Sequence, residues 1–192
     1  MTQKIPTRAE AYALLTQYNK NESLIRHALS VEAVMAHFAQ LLGEDEEKWG
    51  IIGLVHDIDY ERYPEQHCKK AREILEQNNW PEDYIRAVLS HGWQICSDVE
   101  PVEQMEKILY AIDELTGLIT ATVLLRPSKS ILDLKVSSVK KKWKDKRFAA
   151  GVDRDIIHRG IELTGLEQDY LIQETINGMQ KAAAAIGLKG NL

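Results

Sequence analysis

Apolar residues recur at helical spacing along almost the whole chain, while period-two runs are short and few. That pattern restricts the fold to an all-α bundle. Thr7 and Glu10 form a capping-box pair ahead of a first helix that reaches about Asn19. A second helix is expected over 22–42, with Leu24, Ala28, Val31, Met35, Phe38 and Leu42 on its inner side and Gly43 ending it. Asp45 caps a third helix, through Trp49, Ile52, Gly53 and His56. A fourth is expected over 65–78 and a fifth over 81–90, with Pro81 as its first residue. A sixth starts near Pro101 and carries the stripe Met105, Ile108, Leu109, Ile112 and Leu115. Residues 128–146 read as loop followed by a short helix. Asp153 caps a helix that ends at Gly165, and a last helix over 167–186 stops at Gly187. The expected organisation is a main helical domain over 1–125, with a basic segment and C-terminal helices over 126–192 packed on the same domain.

Composition excludes several classes. The net charge of −5 argues against a nucleic-acid polymer or a membrane surface as the general partner. The opening MTQKIPTRAEAY has no apolar stretch of the kind a targeting signal needs, and no run of 18 apolar residues occurs. Cys68 and Cys96 provide neither a disulfide framework nor a Cys-x-x-Cys metal motif, so a reducing, cytoplasmic setting is expected.

The chemistry concentrates in histidine and aspartate. With six His and eleven Asp in 192 residues, chance gives about a third of one His-Asp dipeptide, so His56-Asp57 has little meaning without its context. It ends the apolar stretch Gly50-Ile-Ile-Gly-Leu-Val-His-Asp, which places an imidazole and a carboxylate inside the bundle. Such burial is costly without a partner. A bound cation resolves it, and so does a hydrogen-bonded pair. His37 is about 280° around its helix from His27 and reads as a surface or packing residue. His158 has no partner motif, and Cys68 reads as a free thiol.

His27, then His56-Asp57, then Asp113 resembles the signature of the HD superfamily of metal-dependent phosphohydrolases. Leu24-Ile-Arg-His-Ala-Leu-Ser-Val, Gly53-Leu-Val-His-Asp-Ile-Asp and Ala111-Ile-Asp-Glu-Leu-Thr-Gly-Leu-Ile carry the likeness, in order, over about residues 20–125. His67 and His91 stand where members with two metals have two further histidines. The chain is thus similar to the HDIG-type bacterial members, with Asp59 where that variant has glycine. The resemblance implies divalent metal, two ions of iron, manganese or zinc, held by His27, His56, Asp57, His67, His91 and Asp113, with Asp57 bridging. It implies cleavage of a phosphoester or phosphoanhydride in a nucleotide or other small phosphorylated substrate. No paired-histidine Gly-Tyr-Pro motif of the cyclic-di-GMP phosphodiesterases is present. Asp59 and Glu61, close behind the dyad, are candidates to orient water or protonate a leaving group beside Asp57. Two alternatives stay open: a di-iron oxygenase, and a nucleotide-binding sensor without turnover.

Residues 126–147 hold nine Lys and Arg against two acids. The charge of −5 is therefore +7 on this segment and −12 on the rest. Arg126, Lys129 and Lys140 are the candidate phosphate contacts, with a solvated basic face as the competing reading.

Overall fold

The computed structural model describes residues 4–145 and 147–191. Among them the chain is all-α. Its helices are α1 (Arg8–Tyr18), α2 (Glu22–Leu42), α3 (Glu46–Val55), α4 (Lys69–Gln77), α5 (Glu82–Ser90), α6 (Gln104–Leu124), α7 (Val136–Trp143), α8 (Arg154–Thr164) and α9 (Gln168–Lys181). A short 3-10 turn, Pro64–Gln66, precedes α4, and one isolated bridge joins Trp93 to Ser97.

Local chemistry sets most boundaries. Thr7 and Glu10 make the capping box of α1. The side chains of Asn21, Asp45 and Asp153 accept the first free amides of α2, α3 and α8. Gly43 and Gly165 end α2 and α8 in the left-handed region, at φ 73° and 67°. Elsewhere the elements differ from expectation. Pro81 stands just before α5 rather than inside it. Glu106 folds back to accept the Val102 and Glu103 amides at 2.8 and 3.0 Å, so α6 starts at Gln104. The C-terminal helix stops at Lys181, and the chain continues in turns to Gly187. The expected helix over 65–78 is split, because Cys68 takes a φ of 66° between the 3-10 turn and α4. Asp59 accepts the Ala71 amide at 2.7 Å and faces His67 Nδ1 at 2.7 Å, which turns the chain there and aims His67 inward.

The core forms where α2 packs on α3, α6 and α9, and where α6 packs on α8. Met35, Phe38, Ile52, Leu54, Ile108, Leu109 and Tyr110 are among its fully enclosed side chains. Two glycines let backbones approach. A Cβ at Gly53 would lie 3.0 Å from the Val31 carbonyl oxygen, so α3 rests directly on α2. A Cβ at Gly160 would lie 2.5 Å from the Ala111 Cα, so α8 rests on the turn of α6 that precedes Asp113. His37 is buried on α2 and bonds Glu174 of α9 at 2.7 Å. His158 packs edge-on against Trp143. Both histidines are structural.

Replacing Gly160 with alanine forces α8 off α6. The expected cost is about 1–3 kcal/mol, typical of overpacking in a tight core, and equilibrium urea unfolding measures it.

Candidate metal centre

Four helices deliver the functional side chains. His27 comes from the second turn of α2, and Asp113 from the middle of α6. His56 is the C-terminal cap of α3, whose residues Trp49 to Val55 are all buried, so its ring is carried fully inside. Asp57 follows it. His91 caps the end of α5, and His67 sits at the junction before α4.

Each imidazole is oriented through Nδ1. His56 Nδ1–H donates to the Gly53 carbonyl at 2.7 Å, and His91 Nδ1–H donates to the Val88 carbonyl. His67 Nδ1–H donates to Asp59 at 2.7 Å. The Thr116 hydroxyl donates to the Asp113 carbonyl at 2.7 Å, so its oxygen receives His27 Nδ1–H at 3.4 Å. Carbonyls and carboxylates only accept. With Nδ1 protonated, a neutral ring presents an Nε2 lone pair to the centre, the state in which histidine binds metal.

The inward atoms fall into two sets that meet at Asp57. In the first, His27 Nε2 lies 3.2 Å from His56 Nε2 and 3.0 Å from Asp113 Oδ1. His56 Nε2 is 3.4 Å from Asp113 Oδ1, and Asp57 Oδ2 is 3.7 and 3.5 Å from His27 and His56. In the second, His67 Nε2 lies 3.1 Å from His91 Nε2, with Asp57 Oδ1 at 3.3 and 3.5 Å from the two rings. Ligand bonds of about 2.1 Å put neighbouring donors about 3.0–3.4 Å apart in octahedral or tetrahedral geometry. The donor set fits divalent metal.

Electrostatics inside the cluster is mutually dependent. Burial opposes charge on His91, but its bond to Asp57 outweighs this and lifts it to about 9. Burial likewise opposes charge on His27 and His67, and Asp113 and Asp59 respectively raise them. Burial would raise the two aspartates, yet His56 and His27 hold Asp113 well below the carboxylate range, and His56 and His91 do the same for Asp57. Glu114, beside them, is lifted to about 7 by burial and by the Asp113 charge.

A cleft of about 310 Å³ opens onto this cluster. It is lined by His27, Asp57, His67, His91 and Asp113, together with Tyr60, Cys96 and Glu114, which were not singled out in the sequence. Tyr60 stacks edge-on against His67, with ring centroids 5.2 Å apart. Glu114 directly follows Asp113 in the sequence, the one signal that pointed to it. The Cys68 sulfur lies within 4.8 Å of donor atoms of His67 and His91. It also touches the Cys96 sulfur at 2.9 Å.

The remaining candidates stand elsewhere. Asp59 is fully buried, and both its oxygens are engaged, one with His67 and one with the Ala71 amide; it orients a histidine. Glu61 accepts the Lys20 and Asn21 amides at 2.7 and 2.9 Å, at the entry to α2. Arg126 pairs with Asp133, and Lys140 pairs with Asp169 at 2.6 Å. Lys129 occupies a tight turn at φ 47°. None of Glu61, Arg126, Lys129 and Lys140 lines the cleft. Lys146, also counted in the basic segment, lies outside the described residues.

Fold and site together define an all-α protein with a His/Asp centre that fits divalent metal. Residues 24–118 match the family model described as HD domain, so the chain carries an HD domain, and HD domains are in general metal-dependent phosphohydrolases. No curated protein and no solved structure matches the chain. No helix among the described residues is long and apolar enough to cross a membrane.

Protons and cations compete for the same Nε2 atoms. Because His91 is raised to about 9 in the metal-free protein, it is charged at pH 7.5 and must lose its proton to bind metal. Loading at pH 7.5 should therefore release about one proton or more per chain, read by calorimetry in buffers of different ionisation enthalpy. Apparent affinity should rise with pH until His91 is neutral, above about 9. Asp59→Ala removes the acceptor that fixes the His67 ring and should weaken metal binding about 10–100-fold, measured by chelator competition.

Proposed function

We propose that this chain is a two-metal phosphohydrolase acting on a small phosphorylated substrate such as a nucleotide. One observation carries the reading: the two oxygens of Asp57 face different histidine pairs, Oδ2 toward His27 and His56, Oδ1 toward His67 and His91. Neutral imidazoles whose lone pairs converge at 3.1 and 3.2 Å repel one another unless something positive lies between them. One cation per pair would be held by His27, His56 and Asp113 on one side and by His67 and His91 on the other, with an oxygen of Asp57 facing each pair. A His and carboxylate set without a required thiolate suits iron, manganese or zinc.

Divalent ions held there supply Lewis-acid polarisation of a phosphoryl oxygen and lower the pKa of an attacking water. The protein's own groups do the rest. Gly53, Val88 and Thr116 hold three imidazoles in register through their Nδ1 atoms, and Asp59 holds the fourth. The rings of His56 and His91 are buried, which keeps bulk water from competing for the centre. Glu114 presents a carboxyl to the cleft while accepting the Asp153 amide at 3.2 Å. A second cavity of about 510 Å³ adjoins the cleft and shares His27 and Gly117 with it. Leu24, Ala121, Leu124 and Ile186 make its walls largely apolar, and Arg26 stands in its lining. That shape suits the organic part of a phosphoester, and the helices after residue 125 belong in this reading to the same unit, since Ile186 and Leu188 complete the cavity.

Metal analysis of purified protein should give about two ions per chain, falling to about one in His67→Ala. A value near one in both sinks the two-metal reading. Asp113→Ala should abolish phosphate release from phosphoesters in a screen with manganese, while the far-ultraviolet circular dichroism stays helical. Undiminished release would remove Asp113 from the centre.

A further inference from the structure

We propose that Cys68 and Cys96 are an oxidation site: a dithiol that closes to an intramolecular disulfide and staples together the two segments carrying His67 and His91. This rests on the assignment of those histidines as metal ligands only for its consequence, not for the chemistry of the sulfurs. Three observations converge on it.

First, the two sulfurs are 28 residues apart in sequence and in contact at 2.9 Å, while a disulfide bond needs about 2.05 Å. A movement of about 1 Å closes the bond. Second, the backbone is bent at both ends of the contact. Cys68 has φ 66°, and Gln94, within the loop that returns Cys96 to α5, has φ 61°. Non-glycine residues adopt such angles only when surrounding structure imposes them. The loop is tied back on itself, with the Ile95, Cys96 and Ser97 amides all donating to the Gly92 carbonyl at 2.9–3.0 Å. Third, Gly92 leaves the space the sulfurs meet in. A Cβ there would stand 2.5 Å from each sulfur. Access is uneven in a useful way, since Cys96 is exposed and lines the cleft while Cys68 is buried behind it.

The oxidant class is a peroxide. The Cys96 sulfur attacks a peroxide oxygen; an S–O bond forms, the O–O bond breaks, and the departing hydroxide takes the thiol proton as water. Cys68 sulfur then attacks the Cys96 sulfur, the S–S bond forms, the S–O bond breaks, and the second hydroxide leaves as water with the Cys68 proton. The two sulfurs give up two electrons, and one peroxide becomes two waters. The cross-link lies one residue from His67 and five from His91. Parting those two segments, the motion that releases metal from their side of the centre, then requires breaking a covalent bond. Oxidised protein should hold that metal longer against a chelator.

The test uses the full chain loaded with manganese and treated with hydrogen peroxide, and in parallel with diamide as a thiol-specific oxidant. Expected are loss of both alkylatable thiols together, a mass decrease of about 2 Da, a single Cys68–Cys96 linked peptide, reversal by dithiothreitol, and at least severalfold slower metal loss to EDTA. Gly92→Ala, checked for helical content by circular dichroism, should slow cross-linking. Thiols that stay alkylatable in the loaded protein, or linkage only between chains, would overturn the oxidation site. A disulfide that forms without slowing metal loss would overturn the stapling. If the linked peptide forms but the protein binds no metal and cleaves no phosphoester, the oxidation site stands and the phosphohydrolase reading fails.

Discussion

Everything in the site depends on the fixed Nδ1 hydrogen bonds of four histidines. Carbonyls of Gly53 and Val88 lie three residues before His56 and His91, at the ends of α3 and α5. A helix end has carbonyls without an intrahelical donor, and an imidazole that caps the end can fill one of them. The orientation of two candidate ligands is thus a by-product of helix termination. His27 and His67 lack such a carbonyl and are oriented by side chains instead, Thr116 and Asp59. In all four cases the consequence is the same: Nε2 is the inward atom, and it is a lone pair when the ring is neutral. The close packing of α3 on α2 at Gly53 then brings the lone pairs of His56 and His27 together.

The helices were legible wherever a boundary is decided by a residue next to it. Thr7, Asn21, Asp45 and Asp153 cap the amides that follow them, and Gly43 and Gly165 take the left-handed angle their position needs. The break at Cys68 was not legible, since it is imposed by Asp59, nine residues back, and by the contact with Cys96. The same distinction separates the site residues. His27, His56, Asp57, His67, His91 and Asp113 each carry a local signature and converge in space. Glu61 was singled out by its place behind the dyad, and Arg126 and Lys140 by charge, and neither signal names a partner. The amides that Glu61 accepts are some 40 residues away, and the acid that Lys140 meets is 29 away. Thr116 and Asp59 were misread or missed for a related reason: holding a ring from behind leaves no trace in periodicity.

The charge of the cleft bears on how many cations it takes. Among its lining residues are three carboxyls, Asp57, Asp113 and Glu114, and neither a lysine nor an arginine. The segment over 126–147, which carries the chain's positive excess, spends Arg126 and Lys140 on Asp133 and Asp169. Among the described lining residues, then, a phosphate entering the cleft would meet no fixed side-chain cation except the histidines, and those would be neutral if they held metal. With Asp57 and Asp113 charged and Glu114 lifted to about 7, one divalent ion would leave the cleft between −1 and neutral, which does not attract phosphate, whereas two would leave it positive. Arg26 lines the adjoining cavity and pairs with Glu22 at 3.1 Å. In the two-metal reading proposed above, the attraction for an anion would come from the ions themselves, and a cation on the second histidine pair would make the sign of the cleft positive.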